Sequence, residues 1–271
     1  MVSVAPLRKK PDDRSEMVSQ ILFGEQVKII RKKGKNWLLI ECLWDSYQAW
    51  IDPKQLLRLT QKDSERLLED VHYALETVQA VLSDQRSQSI LLGSNLPSFD
   101  GISFKFPKRK FVYYGQVIGP QKTEISREIF IKIIRKFLYA PYLWGGRSPF
   151  GIDCSGYTQI VLKLCGIQIP RDASQQVNCG ELVSFVEEAR LGDLAFFENK
   201  ESKITHVGIV LDDQMIIHAS GQVRIDKLDH QGIYNVETKK YSHKLRVIKR
   251  ILDLPLPLVV EAGESSSTTP E

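Results

Sequence analysis

The sequence predicts an α+β protein in which helices pack on an antiparallel sheet, preceded by one or two small all-β barrels. Three observations support this fold class. Short strand patterns separated by turns fill residues 1–60, which is typical of a small barrel. Helical apolar patterns occur between residues 126 and 166, and alternating apolar runs continue from residue 191 to residue 251. Helices followed by strands indicate an α+β domain.

The first predicted domain covers residues 1–60. Turns rich in proline, glycine and asparagine divide it, as at residues 11–13 and 33–36. We predict five strands, at residues 2–7, 16–21, 26–31, 37–42 and 48–51. Their short length and even spacing indicate a barrel.

Residues 61–118 allow two descriptions, a helical insertion and a second, degenerate barrel. Apolar residues recur every three or four positions and predict an amphipathic helix over residues 62–83; they are Leu67, Val71, Leu75, Val78 and Leu82. Strand-like segments follow, broken by glycine and proline. A basic and aromatic strip at residues 104–111 could suggest nucleic acid, but solvated lysines on an edge strand explain it better.

The α+β domain is predicted at residues 123–252, and its central feature is Cys154. A capped helix, beginning after Thr123 or Ser126 and ended by Pro141, precedes it. Glycines flank Cys154, and a second apolar helix follows at once and stops near Gly166. A cysteine at a helix N-terminus that also faces a histidine can have its thiol pKa lowered to about 3.5–7.5. The alternative is that Cys154 is a small core residue.

Two histidines in consecutive apolar strands could serve this cysteine. A turn at residues 212–214 separates the strands, so a hairpin would bring His206 and His218 together. One ring could then accept the thiol proton while the other orients it, as in cysteine hydrolases. Lone histidines in strands are more often structural. His72, His230 and His243 have no evident partner in the sequence, and we interpret them as surface or structural residues.

Together these motifs resemble the NlpC/p60 family of papain-like cell-wall cysteine peptidases, over residues 126–250. The matching segments are Tyr142-x-Trp144-Gly145-Gly146, Asp153-Cys154-Ser155-Gly156, His206-Val207-Gly208-Ile209 and His218-Ala219-Ser220. The resemblance implies that Cys154 is the nucleophile, His206 the base and His218 the residue that orients it. Residues 22–27, 37 and 47–51 are similar to bacterial SH3 (SH3b) domains, which often accompany that family.

The resemblance also implies a substrate. Members with N-terminal SH3b domains include γ-D-glutamyl-L-diamino acid endopeptidases of the dipeptidyl-peptidase VI type. These recycle murein tri- or tetrapeptides, L-Ala-γ-D-Glu-diamino acid, that have a free N-terminal amine. We expect no cofactor and no metal ion. The preferred diamino acid, diaminopimelate or lysine, stays open, as do an amidase or acyltransferase activity on the same scaffold and a non-catalytic wall-peptide-binding protein.

Several polar residues around the motifs are candidates for binding the reacting groups. The backbone N–H of Cys154 and the hydroxyl of Tyr142 could hold the oxyanion. Trp144 could contact substrate or fill the aromatic core. The ammonium of the substrate needs an acidic partner, for which we consider Asp153, assisted by Ser155.

The remaining candidates lie further from the nucleophile. Arg171 could grip the D-glutamate carboxylate bidentately. Asp172 could hold the amine, position Arg171 or merely cap the next helix. Ala173 stands where the family often has serine. Tyr47 of the barrel could close the amine end of the site, because ligand sites often lie between domains.

The whole chain limits the classes of function. A formal net charge of +4 over 271 residues is too small to indicate a nucleic-acid partner. No segment approaches the roughly 18 apolar residues of a membrane span, and residues 1–20 lack the apolar stretch of a secretory signal. Four cysteines without metal-ligand spacing are expected to be reduced thiols, which fits a cytoplasmic location. We also expect a monomer. The polar tail, residues 253–271, is predicted to be disordered.

Overall fold

A computed structural model describes residues 2–84, 86–119 and 125–254 of the chain. Its first part is a five-stranded antiparallel sheet with strand order β2-β1-β5-β4-β3. The strands are β1 (Val4–Arg8), β2 (Met17–Leu22), β3 (Val27–Lys33), β4 (Trp37–Cys42) and β5 (Gln48–Ile51), followed by a 3₁₀ helix at Pro53–Gln55. Each predicted strand is present within two residues at either end. Their inward side chains, such as Leu7, Ile40 and Ile51, form a separate apolar core.

The prediction of a helix over residues 62–83 is correct only as far as Glu69 and wrong for the residues that follow. Helix α1 (Gln61–Glu69) begins at a Thr60 cap and stops before two strands, β6 (Val71–Ala74) and β7 (Val78–Ser83). The helical spacing assigns Val78 and Leu82 to a buried face, but these side chains are 45% and 43% exposed, whereas Val81 between them is fully buried. The buried side chain follows the alternation of a strand.

The second part is therefore mostly β structure. Its other strands are β8 (Arg86–Leu91), β9 (Asn95–Pro97), β10 (Ser103–Phe106), β11 (Arg109–Val112) and β12 (Val117–Ile118). They form sheets of order β10-β11-β7-β8 and β12-β6-β9. Phe104, Phe106 and Phe111 are buried while Lys105 and Lys110 are exposed, so the basic strip is an edge hairpin with a core face. The similarity of this part to an SH3b barrel stays a prediction.

In its described residues, the third part contains three α-helices, one 3₁₀ turn, a two-stranded sheet and one large sheet. The helices that matter most are α2 (Arg127–Arg135), α3 (Cys154–Leu164) and α4 (Ala173–Gln176). Ser126 caps α2, and the alternative cap, Thr123, lies outside the described residues. The helix ends at Arg135, ahead of Pro141, and buries Phe130, Ile133 and Ile134.

A 3₁₀ turn lies at Val186–Glu188. Beside the start of α3, the short strand β13 (Arg147–Ser148) pairs with β14 (Gly151–Ile152). The large sheet is antiparallel. Its strands are β15 (Glu181–Val183), β16 (Leu194–Glu198), β17 (Ile204–Val210), β18 (Met215–Ser220), β19 (Gln222–Leu228), β20 (Gly232–Asn235) and β21 (Lys240–Arg250). A pairing of β20 with β21 closes the six strands after β15 into a ring. Of the predicted tail, residues 255–271 lie outside the described part of the chain.

One buried polar cluster joins the three parts. Glu25 of the first barrel accepts hydrogen bonds from Arg147 at 2.9 Å and from Lys163 of α3 at 2.6 Å. Lys163 also donates to the carbonyl of Gly93 and to Oδ1 of Asn95, both in the second part. Burial alone would raise the pKa of Glu25, but the two cations lower it to about 2. The carboxylate therefore stays charged across the usual pH range.

Candidate active site

The nucleophile candidate is held by the cap of helix α3. Oδ1 of Asp153 accepts the backbone N–H of Gly156 at 2.7 Å, as an N-cap does. Its Oδ2 accepts the N–H of Gly145 at 2.8 Å, which ties the preceding glycine loop to the helix start. Cys154 is the first residue of the helix, so its own N–H has no acceptor within α3. That group is available to an oxyanion.

The surroundings of the Cys154 sulfur favour the neutral thiol over the thiolate. Burial and the neighbouring Asp153 carboxylate raise its pKa to about 12, against hydrogen bonds from the N–H groups of Val207 and Ser155. The prediction of a lowered pKa is therefore wrong for the free site, because desolvation and the adjacent negative charge outweigh the helix terminus. A base is needed to remove the proton as the sulfur attacks.

The two predicted histidines meet as expected. His206 on β17 and His218 on β18 lie in paired strands, with Nε2 of His206 at 2.9 Å from Nδ1 of His218. Val207, whose N–H reaches the Cys154 sulfur, directly follows His206. Both rings are buried, with 5% and 1% exposed. The predicted hairpin contact is confirmed.

A carboxylate extends this histidine pair. Nε2 of His218 lies 3.1 Å from Oδ2 of Asp226, which is fully buried on β19. Arg224 binds the same carboxylate through Nε and Nη2 at 2.7 and 3.1 Å. Burial would raise the pKa of Asp226, but the hydrogen bonds from His218 and Arg224 lower it to about 2. Sequence reasoning missed Asp226, because nothing in its own segment marks it as different from a surface aspartate.

A third histidine also lies in the site. The ring of His243, on β21, stacks on His206 with 4.0 Å between centroids and 23° between planes. Sequence reasoning finds no partner for His243, because strand β21 reaches the site only through long-range strand pairing. Burial lowers the pKa of His206 well below its ordinary value, and the charges of His243 and His218 add to this. Burial similarly lowers the pKa of His243 to about 4. Both rings are neutral at neutral pH.

Tyr142 and Trp144 occupy the rim. Burial raises the pKa of Tyr142 to about 12, and the Cys154 and Asp153 charges are the next largest causes, so its hydroxyl lies near the nucleophile. Its backbone N–H donates to the carbonyl of Gly221. Trp144 is 59% exposed, and its Nε1 donates to Glu16 of the barrel at 2.9 Å. The alternative that Trp144 fills the core is therefore wrong.

Arg171 lies buried beneath the start of helix α3. Its guanidinium is 2% exposed and binds both oxygens of Asp153, at 3.0 and 2.6 Å, together with the hydroxyl of Ser155 at 2.8 Å. Nε of Arg171 also donates to Ser19 of β2. A substrate carboxylate would have to compete with Asp153 for this cation. Asp153, already paired and 6% exposed, is equally unsuited to be the main partner of an ammonium.

Three further polar residues lie where the barrel meets the α+β domain, and one of them, Glu16, already pairs with Lys9 at 2.8 Å. Asp172 stands at the N-cap position of α4, but its side chain makes no capping hydrogen bond, so the capping alternative is wrong. Burial raises the pKa of Tyr47 to about 12, with the Asp172 carboxylate as the next largest cause and Glu16 also contributing. Tyr47, Asp172 and Glu16, here called the acidic rim, thus share one region. Sequence reasoning did not identify Glu16.

The described residues hold no group of three or more histidine, cysteine or acidic side chains arranged to ligate a metal ion. Nor does any helix in the described ranges combine the length and apolarity needed to cross a membrane. All four cysteines are free thiols. The groups brought together are those of a nucleophile, a base, an orienting imidazole and a carboxylate behind it, which suits acyl transfer.

Two family models match the chain. The NlpC/P60 family model matches residues 139–242, and the model described as the bacterial dipeptidyl-peptidase Sh3 domain matches residues 7–56. The chain therefore contains an NlpC/P60 domain preceded by a bacterial SH3 domain, as its motifs predicted.

Curated relatives extend over most of the chain. The gamma-D-glutamyl-L-lysine dipeptidyl-peptidase of Bacillus subtilis (strain 168) is 28% identical over 216 residues, which are 74% of this chain and 71% of that protein. Dipeptidyl-peptidase 6 of Lysinibacillus sphaericus is 26% identical over 251 residues, or 84% of this chain and 90% of the relative. A crystal structure of an NlpC/P60 family protein from Bacillus cereus ATCC 10987 covers 93% of this chain and 98% of its own, with a TM-score of 0.79 at 24% identity. The fold is thus the papain-like one that was predicted.

Proposed function

We propose that this cysteine peptidase, an NlpC/P60 domain behind a bacterial SH3 domain, cuts the γ-D-glutamyl–diamino acid bond of murein peptides with a free N-terminal L-alanine. The observation that carries the proposal is the acidic rim, to which the two domains contribute Tyr47, Glu16 and Asp172. Such a rim suits an ammonium that lies a short distance from the nucleophile. The names of the relatives, gamma-D-glutamyl-L-lysine dipeptidyl-peptidase and dipeptidyl-peptidase 6, support the same bond and the release of a dipeptide.

The reaction follows from the positions of the side chains. The sulfur of Cys154 attacks the γ-carbonyl carbon while its proton passes to His206. The N–H of Cys154 and the hydroxyl of Tyr142 would hold the oxyanion. His206 then gives the proton to the leaving amine of the diamino acid, and a thioester remains. Water, deprotonated by His206, hydrolyses the thioester and restores the thiol.

Recognition of the short substrate is divided between the domains. The ammonium of L-alanine would lie against Asp172, with the Tyr47 hydroxyl closing the pocket and Glu16, which is paired with Lys9, further out on the rim. A peptide extended at this end would meet the barrel, so only murein tri- or tetrapeptides with a free amine would fit. Arg171 and Ser155 form the buried floor beneath Asp153. We place this activity in the recycling of murein peptides by a cytoplasmic monomer, in keeping with four unpaired thiols.

Product analysis by mass spectrometry tests the proposal. The wild-type protein should release L-Ala-γ-D-Glu from L-Ala-γ-D-Glu-diaminopimelate or from its lysine counterpart, and the N-acetylated peptides should be poor substrates. Cys154→Ala should leave every peptide intact, whereas the matched variant Cys165→Ala should keep its activity. Uncut peptides with the wild-type protein, or equal rates on acetylated and free peptides, would contradict the proposal.

The acidic rim has its own test. Asp172→Asn removes the charge at a position with no capping role, and Tyr47→Phe removes the hydroxyl. Each should raise KM for the free-amine peptide about 10-fold or more, since a charged hydrogen bond contributes about 1.5–3 kcal/mol, while the preference over the acetylated peptide falls. Unchanged discrimination in both variants would show that the amine binds elsewhere.

A further inference from the structure

We propose that Asp226 is a positioning residue that fixes the protons on His218 and His206, so that Nδ1 of His206 is always the unprotonated nitrogen. The proposal concerns the Cys154 peptidase reaction and does not depend on which peptide is cut. It rests on the directions of the hydrogen bonds that converge on one buried carboxylate.

Among the described residues, every other hydrogen-bond partner of the Asp226 carboxylate is a donor. Oδ1 accepts from Nη2 of Arg224 and from the backbone N–H of Val236, each at 3.1 Å. Oδ2 accepts from Nε of Arg224 at 2.7 Å. A guanidinium and a backbone amide can only donate, so the group they surround is held as a carboxylate, which can only accept.

The direction of the remaining bonds follows from this. Nε2 of His218, 3.1 Å from Oδ2, must carry its proton. Since a neutral imidazole has one N–H, Nδ1 of His218 is an acceptor and takes the Nε2–H of His206 at 2.9 Å. Nδ1 of His206 is then left with its lone pair free. The opposite direction would put a proton on that atom and leave no base for the thiol.

The ion pair behind the carboxylate supports a positioning role. Arg224 binds Asp226 with two hydrogen bonds and also pairs with Glu237 at 2.9 Å. This pairing holds the carboxylate in one orientation and makes it a poor acceptor for a proton from the histidines. When His206 becomes an imidazolium during the reaction, the charge of Asp226 stabilises it through His218.

Nitrogen NMR of the wild-type histidines tests the assignment without any variant at Asp226. In ¹⁵N-histidine protein carrying Cys154→Ala, both His206 and His218 should be protonated at Nε2 and unprotonated at Nδ1 at pH 7. A proton on Nδ1 of either ring would overturn the proposal.

Asp226→Asn should reverse the direction of the bonds. The new amide NH₂ faces donors in either orientation, and His218 is the one donor there that can move its proton to its other nitrogen. Both histidines should then be protonated at Nδ1, and kcat should fall about 10²- to 10⁴-fold with little change in KM, the scale of loss when a catalytic base has the wrong tautomer.

Asp193→Asn is the matched control. Asp193 is also fully buried in the large sheet and is paired with its own arginine, Arg250, at 2.9 and 2.8 Å, but it does not bind the histidines. The Asp193→Asn variant should lose about as much stability as Asp226→Asn and keep kcat within about twofold of the wild-type value. Equal losses of kcat in both variants, or full activity in Asp226→Asn, would overturn the positioning role.

Discussion

His243 shows how single residues set the behaviour of this site at low pH. Its ring stacks on the base, and burial lowers its pKa to about 4 and that of His206 well below the ordinary value. In the unfolded chain both would titrate near 6.5. Between pH 6.5 and pH 4, these two histidines bind protons in the unfolded chain but not in the folded protein. The free energy of unfolding therefore falls as the pH decreases from about 6.5 towards 4.

His243→Phe should reduce this sensitivity to acid. The aromatic stack is kept, but one group with a lowered pKa is removed. The slope of unfolding free energy against pH, measured by urea denaturation from pH 4.5 to 7, should therefore decrease by up to about 1.4 kcal/mol per pH unit. Parallel curves for wild type and His243→Phe would show that His243 does not bind fewer protons in the folded state.

The residues that sequence reasoning found and missed differ in one physical respect. Cys154, His206 and His218 belong to local motifs whose glycines and strand pattern can be interpreted in short segments. Asp226 and His243 reach the site only because β19 and β21 pair with other strands of the ring. Glu16 reaches it through the contact between domains. The sequence contains no local signal for either kind of long-range contact.

At the scale of elements, residues 62–83 show the limit of periodicity. Apolar residues recur there every three or four positions, but they do not share one helix. Leu67 lies on α1, whereas the others lie on or between the strands β6 and β7. Nothing in the pattern indicated that Asp70 would be extended and end the helix. The five barrel strands and α3 were predictable, in contrast, because turn residues or a cap and a stop glycine bounded each of them.

The glycine loop before α3 is the element on which the nucleophile depends most directly. Gly145 has a φ of +77°, and a Cβ built there would lie 2.4 Å from the carbonyl oxygen of Met17 in β2. Its N–H also holds Asp153. Gly145→Ala should therefore destabilise the protein by more than the roughly 1–2 kcal/mol of a left-handed residue, since backbone must also move. kcat should fall with it.

Gly34→Ala provides the comparison for this prediction. Gly34 has a similar φ of +60°, but a Cβ there would have no atom within 4 Å. Urea denaturation of Gly34→Ala should show only the loss of stability that comes from placing alanine in the left-handed conformation. Peptide cleavage should show an unchanged kcat. If the two alanine variants lose the same stability and both keep full activity, the contact between the glycine loop and β2 does not position Asp153.

At the scale of the whole molecule, the barrel is part of the active-site structure and not a separable attachment. Ser19 and Gln20 of β2 accept hydrogen bonds from Arg171 and Arg147. Glu25 forms ion pairs with both Arg147 and Lys163, whose side chains are 4% and 0% exposed. Removing residues 1–60 would leave both cations without their carboxylate. Tests of specificity therefore need point variants of the acidic rim rather than deletion of the barrel.

Lys163→Met tests this integration because methionine replaces the chain length of lysine without its charge. Glu25, the Gly93 carbonyl and Asn95 would each lose a buried partner, and breaking a buried ion pair costs about 3–5 kcal/mol. Urea denaturation should show this loss as one transition, coincident by fluorescence, circular dichroism and activity. Lys203→Met, at an exposed pair with Glu201, should match the wild type. Separate transitions for the barrel and the α+β domain in the wild-type protein, or equal stability of the two variants, would mean that the buried cluster does not couple the domains.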